Sequence, residues 1–153
     1  MINPTREQVA VALFNKLSTL LYDENTNPSG PLMTVSRRPQ LWDEATNMPA
    51  LYMGNPGENY RYDHDTASPA FVVLDFDVFV YIKSGLDPTV IPDIELNNLM
   101  DAIEASITPY PGQNQTLGGI VHSAWIEGEI HRAPGYLDGR GIAIFTIKVM
   151  VPQ

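Results

Sequence analysis

The chain of 153 residues contains no cysteine. That excludes a disulfide framework and every thiolate metal site, and it fits a reducing compartment. Positive charge is scarce too: nine Lys and Arg stand against 18 Asp and Glu, for a formal net charge of -9. Residues 1–70 carry five basic and eight acidic side chains, and residues 71–153 carry four and ten. Neither half therefore has a basic stripe, and electrostatic capture of nucleic acid needs clustered Lys and Arg against phosphate. Long apolar runs are missing as well. The longest, such as Val9–Phe14 and Val78–Ile82, fall far short of the roughly 20 residues that span a bilayer. The first residues show no small-residue cleavage site, so no signal peptide is expected. No GxGxxG or Gly-Lys-Ser/Thr loop and no Gly-x-Ser-x-Gly elbow occurs, which removes the usual sequence signals for nucleotide binding and for a serine nucleophile. These absences point to one soluble domain over residues 1–153, cytoplasmic rather than secreted.

The pattern that is present is helical at two places and alternating elsewhere. Residues 5–22 read as a helix, opened by a Thr5/Gln8 capping box or by Pro4 at its first position. Val9, Leu13, Leu17, Leu20 and Leu21 recur on one face of it. A second helix is expected over about 93–108, with Leu96, Leu99, Met100, Ile103 and Ile107 as its stripe. Asp93 and Glu95 favour its first turn through the helix dipole, and Pro109 and Pro111 end it. Short strands are expected at 33–38 and 50–54, and a polar, irregular loop over 55–69. The strongest strand signal is FVVLDFDVFVYI at 71–82. Alternation there puts Leu74, Phe76, Val78, Val80 and Ile82 on one face and Asp75, Asp77, Phe79 and Tyr81 on the other. Strands at 119–132 and 141–152 follow, joined through Asp138-Gly139, a hairpin turn signal. The expected fold is α+β: two helices packed on one face of a mostly antiparallel mixed sheet, ending in a long C-terminal β-hairpin.

Several clusters could carry chemistry. Asp63-His64-Asp65 offers imidazole and carboxylate, both good first-row metal ligands. Adjacent residues of one loop rarely all reach one ion, and Gly57, Asn59, Thr66 and Ser68 around them suit a solvated loop. Asp75 and Asp77 share a strand face and could bind a divalent ion or exchange protons. Phe79 and Tyr81 on that same face point instead to a partly covered surface, buried by a partner subunit at its aromatic end. Glu127, Glu129 and His131 share a face at spacing two and form the most metal-like triad, while His122 alternates to the opposite face. A solvated face or salt bridges between subunits is the plainer reading of the triad. Arg37-Arg38 is the only paired basic site and a candidate contact for an acidic partner. In the last strand Ile142, Ile144 and Met150 are apolar on the face opposite Ala143, Phe145 and Ile147, where a sheet covered on one side should be polar. With Phe79, Tyr81 and Trp125 they form leftover apolar surface suited to subunit contacts.

The whole-chain layout resembles the tail terminator, or tail completion, proteins of long-tailed bacteriophages and prophages, the minor tail protein U type. The segments that carry the resemblance are TVSRRPQLW (34–42), PALYMGNPGENY (49–60), LDFDVFVYI (74–82), LNNLMDAIEASI (96–107), QTLGGIVHSAWIEGEI (115–130) and IAIFTIKVMVP (142–152). The resemblance implies a non-enzymatic protomer without cofactor or metal that forms a hexameric ring. Such a ring caps the tail tube at the head-proximal end of the virion, stops tube polymerisation and meets the head-side connector protein. Its implied partners are further copies of itself, the tail tube protein and the connector, with assembly in the host bacterial cytoplasm and no membrane. DNA would cross the lumen without specific binding, and acidic lumen residues would repel phosphate. Candidate subunit or tail-tube contacts are Arg37, Arg38, Arg61, Asp63, His64, Asp65, Phe79, Tyr81 and Trp125. The alternatives are a head–tail connector or neck protein, or a small metal-dependent enzyme using Asp63/His64/Asp65 or Glu127/Glu129/His131.

Overall fold

A computed structural model of the chain describes residues 4–41, 44–45, 47–62, 69–83, 87, 89–133 and 140–152. The elements, in order, are helix α1 (Arg6–Ser18), strands β1 (Thr34–Ser36), β2 (Ala50–Tyr62) and β3 (Pro69–Lys83), helix α2 (Pro92–Ile107), and strands β4 (Ser123–Ala133) and β5 (Arg140–Pro152). The strands form one mixed sheet in the order β1-β2-β3-β5-β4. Only β1 and β2 run parallel; all other neighbours are antiparallel. This is the expected α+β layout, with β4 and β5 as the C-terminal hairpin.

Each helix forms for reasons visible in its ends. Thr5 and Gln8 exchange both bonds of the capping box: the Gln8 amide donates to Thr5 Oγ1 at 3.1 Å, and the Thr5 amide donates to Gln8 Oε1 at 2.8 Å. Two orphan amide donors of the first turn are thereby satisfied. α1 then stops at Ser18, four residues before the expected end. Leu21 forms a bridge with Leu32 instead of continuing the helix. α2 has Pro92 at its start, Asp93 and Glu95 in its first turn and no basic residue in its last.

The core lies between the helices and one face of the sheet. Val9, Leu13 and Leu17 of α1 and Leu96, Ile103 and Ile107 of α2 meet Leu74, Phe76, Val78, Val80 and Ile82 of β3 and Ala143, Phe145, Ile147, Val149 and Val151 of β5. The alternation read from the sequence therefore assigns the helix-facing residues of β3 and β5 correctly.

The 55–69 stretch differs from the expected loop. β2 continues to Tyr62 and stays paired with β3, and the register slips by one residue between Gly54 and Gly57. This bulge at Asn55-Pro56 takes up the proline, which has no amide proton for the ladder. It also reverses the parity of the strand. Leu51 and Met53 face the helices before it. Glu58 and Tyr60 do so after it, opposite Leu74 and Val72. There they meet α1: Arg6 Nε donates to Glu58 Oε1 at 2.8 Å, and its terminal nitrogen donates to Tyr60 Oη at 3.0 Å. The polar half of β2 is thus strand, written in an ion pair rather than in aliphatic residues. β4 likewise begins later than expected. Residues 117–122 form turns in which Leu117, Gly118 and Gly119 all have positive φ.

Candidate functional site

The second face of the sheet carries the features that the core does not explain. Its rows follow from the register. Tyr52, Phe79 and Ile144 line up, followed by Asp77 with Thr146, then Asp75 with Lys148 and Trp125, then Val73 with Met150 and Ser123. Aromatic, acidic and apolar bands succeed one another across one surface.

The aromatic band is already covered by the chain itself. β1 and β2 are adjacent and parallel, so the connection between them must return along the sheet to start β2. Its described residues Gln40, Ala45 and Met48 lie over this face. Ala45 and Met48 pack with Ala50, Tyr52, Phe79, Tyr81 and Ile142 in a small second cluster. Tyr81 Oη donates to the Gln40 carbonyl oxygen at 2.9 Å, and Tyr52 Oη donates to Gln40 Oε1 at 3.2 Å. The two tyrosine rings are tilted at 51° with centroids 5.6 Å apart. Burial pushes both phenols above their ordinary pKa, and Tyr81 is raised further by Tyr52. Tyr81 is 5% exposed. Its own chain buries it, so the expected cover by a partner subunit is not required there; Phe79 is half-buried against the same cluster.

The acidic band holds one cation among carboxylates. Lys148 Nζ lies 3.2 Å from Glu127 Oε2 and 3.3 Å from Asp75 Oδ1. Thr146 Oγ1 donates to Asp77 Oδ1 at 3.2 Å. The ammonium is held above its ordinary pKa, first by the bond to Glu127 and then by that to Asp75. The contact with Asp75 is an ion pair, and Asp75 Oδ1, which is buried, accepts no hydrogen bond from the described residues. Asp75 and Asp77 thus sit in cross-strand pairs, a structural use of carboxylates.

The metal-like triad is not assembled as expected. A bulge between Glu127 and His131 places Glu127 opposite Thr146 and His131 opposite Ile144, so Glu129 has no place in the ladder. Gly128, with φ 81°, makes that bulge. Among the described residues no group of three or more His, Asp and Glu is placed to hold a metal ion. His122 precedes β4 rather than alternating within it, and its ring lies 5.9 Å from that of Phe71.

The remaining sequence candidates separate. Arg37 forms a bidentate pair with Glu7 of α1 and so is engaged within the chain. Arg38 is exposed beside it. Arg61 is exposed on β2 opposite Phe71. Trp125 is half-buried on the open face opposite Lys148. Asp63, His64 and Asp65 lie outside the described residues. Three features were missed from sequence: Lys148 as the centre of the acidic band, Gln40 as acceptor for two tyrosines, and an exposed aliphatic patch at Val90, Ile91 and Ile94. Only the last had a local signal, the run Val90-Ile91-Pro92 immediately before the helix. No helix among the described residues is long and apolar enough to cross a membrane. No protein-family model matches the chain, and no curated protein matches it.

Proposed function

We propose that this chain is a structural protein of the phage tail terminator kind, a ring subunit that caps the tail tube and meets the head-side connector. The reading rests on the family-like segments together with one structural observation. The sheet has one face whose β3 and β5 residues are packed under helices and a second that keeps Ile144, Met150 and Trp125 half-exposed around an acidic band. Half-exposed aromatic and methionine side chains are enriched in protein–protein contact surfaces, and charged groups belong to their polar rim. The net charge of -9 suits a ring through which DNA passes without sticking, because like charge repels phosphate. The chemistry is contact and termination, with no bond made or broken.

The experiment is assembly on purified tail tubes, read by native mass measurement and by electron microscopy of tube ends. A six-copy assembly, or a monomer that becomes six-fold at one end of the tube and blocks elongation, is the expected result. A protein that stays monomeric and ignores tubes overturns the reading. Decoration of the capsid vertex instead of the tube would assign it to the connector class. A lumen lined by basic residues would overturn the charge argument.

A further inference from the structure

The two lateral edges of the sheet differ in a way that suits them to each other. Beside β4, the start of α2 exposes Val90, Ile91 and Ile94 at 42%, 56% and 54%. Arg132 of β4 reaches Asn97 at 2.6 Å and Asp93 at 3.8 Å, which fixes this patch to the β4 edge. A cleft of about 420 Å³ runs between α2 and β4 along the same edge, lined in part by Ile107, Pro109, Ile126 and Ile130. The edge is acidic: α2 and β4 together contain six Asp and Glu and a single Arg. At the opposite edge β1 is only three residues long. Beside it Met33 is 48% exposed and Tyr22 41%. Residues 33–41 contain no acidic side chain, but Arg37 is paired with Glu7, and Asp23 and Glu24 follow Tyr22, so Arg38 is the cation this edge can offer. Arg38 and Glu129 each lack a side-chain partner among the described residues.

Scattered exposed apolar residues are ordinary on any surface. Here they cluster at the two ends of the strand order, with a side chain of opposite sign left to pair beside each, Arg38 at one and Glu129 at the other. The edges stand four inter-strand steps apart, roughly 19 Å, so one protomer cannot bring its own edges together. A second copy can. We infer that the β1 edge of one copy, with Arg38 and Met33, docks head to tail on the α2/β4 edge of the next, with Ile91, Ile94 and Glu129. The contact is heterologous, so each copy keeps one edge free for a further copy, and repetition gives a closed ring or an open filament according to the rotation per step. β1 runs opposite to β4 within the sheet, as the alternation of neighbours requires. A copy related by rotation about an axis along the strands therefore presents β1 antiparallel to its neighbour's β4. This inference deepens the ring reading and rests on it for the closure, while the choice of surfaces rests on the edges alone.

The test uses two full-length variants, each altered at one edge. Arg38→Glu reverses charge beside β1. Ile94→Asp removes aliphatic surface beside β4, and an aspartate in the first turn of a helix is favourable, so folding should persist; Glu129→Arg is the second variant at that edge. Each variant alone should assemble at least tenfold more weakly than the unmodified chain in native mass measurement. Mixing Arg38→Glu with Ile94→Asp should give one-to-one pairs and nothing larger, because each pair uses the single intact edge of each member. Arg38→Glu combined with Glu129→Arg in one chain should recover assembly. Variants that assemble like the unmodified chain, or a mixture that forms full-size rings, would overturn the choice of edges and leave the ring reading standing. An unmodified chain that stays monomeric with and without tail tubes would overturn both.

Discussion

Phe76 and Phe79 stand three residues apart on β3 and face opposite layers. Phe76 is fully buried under the helices, among aliphatic residues of β5 and both helices. Phe79 is half-buried, beside two tyrosines and a connecting segment that the chain folds over it. The helix side of β3 and β5 contains no polar side chain, and its alternation is regular. The other side mixes Asp75, Asp77, Thr146 and Lys148 with Phe79, Ile144 and Met150. A side that serves only the core can be written in aliphatic residues, because packing asks only for volume and apolarity. The other side devotes its residues to an ion-paired band and to an aromatic cluster that the chain covers with its own connecting segment. Aliphatic packing is thus concentrated on one side of the sheet and directed polar and aromatic contacts on the other.

Substitutions can break that comparison. Phe76→Ala should destabilise by about 3–5 kcal/mol, as expected for a large aromatic removed from a packed core. Phe79→Ala should cost only about 1–2 kcal/mol, since less apolar surface is returned to water. Urea unfolding of both variants measures the difference, and equal losses would show that the second side is as much core as the first. Tyr81→Phe comes next. It removes the donor to the Gln40 carbonyl oxygen, which should cost about 1 kcal/mol. Its stronger signature should be local: faster hydrogen exchange at the backbone of residues 37–41, with α1 and α2 unchanged. Uniformly faster exchange over the whole chain would mean that this side is coupled to global stability and does not carry a separately held segment.

The legibility of the sequence followed the same division. Residues under the helices obey period 2 in β3 and β5 and period 3.6 in α1 and α2, so the fold class, the strand faces and the two stripes could be read directly. The signal failed where the register slipped, by one residue in β2 and by two in β4. Pro56 breaks the alternation of β2, and beyond it Glu58 and Tyr60 occupy helix-side positions with Arg6 as partner. Polar residues held by an ion pair looked like a loop. In β4, Gly128 resets the register, so an apparent triad at spacing two is no triad in space. The candidate site was legible only as a suspicion. Ile142, Ile144 and Met150 marked the second side as unusual, but nothing local showed that Gln40, Ala45 and Met48 would lie over part of it. The return of the chain there follows from the parallel pairing of β1 with β2, a long-range feature that no window of the sequence contains.

The acidic band gives the smallest effect and the sharpest sign. Lys148 serves Glu127 and Asp75 together across β4, β5 and β3. Lys148→Met would leave two carboxylates facing each other without their cation. The loss should be about 0.5–1 kcal/mol, because the side chains remain partly solvated, and it should shrink in about 1 M salt as screening shortens to about 3 Å. The pH dependence follows from the raised ammonium. A group whose folded pKa lies above its unfolded value contributes stability that is complete below the unfolded value, about 10.4 for lysine, and lost as pH rises through the folded one. The unmodified chain should therefore exceed Lys148→Met by a constant margin from about pH 8 to about pH 10 and lose that margin above it. Tyr52 and Tyr81 also titrate late, but both proteins contain them, so they cancel in the difference. Unfolding free energies measured for the pair across that range decide the matter. A margin that persists to about pH 12 would assign the stabilisation to packing of the lysine stem rather than to its charge. The acidic band would then be, like the helix side, a matter of apolar contact.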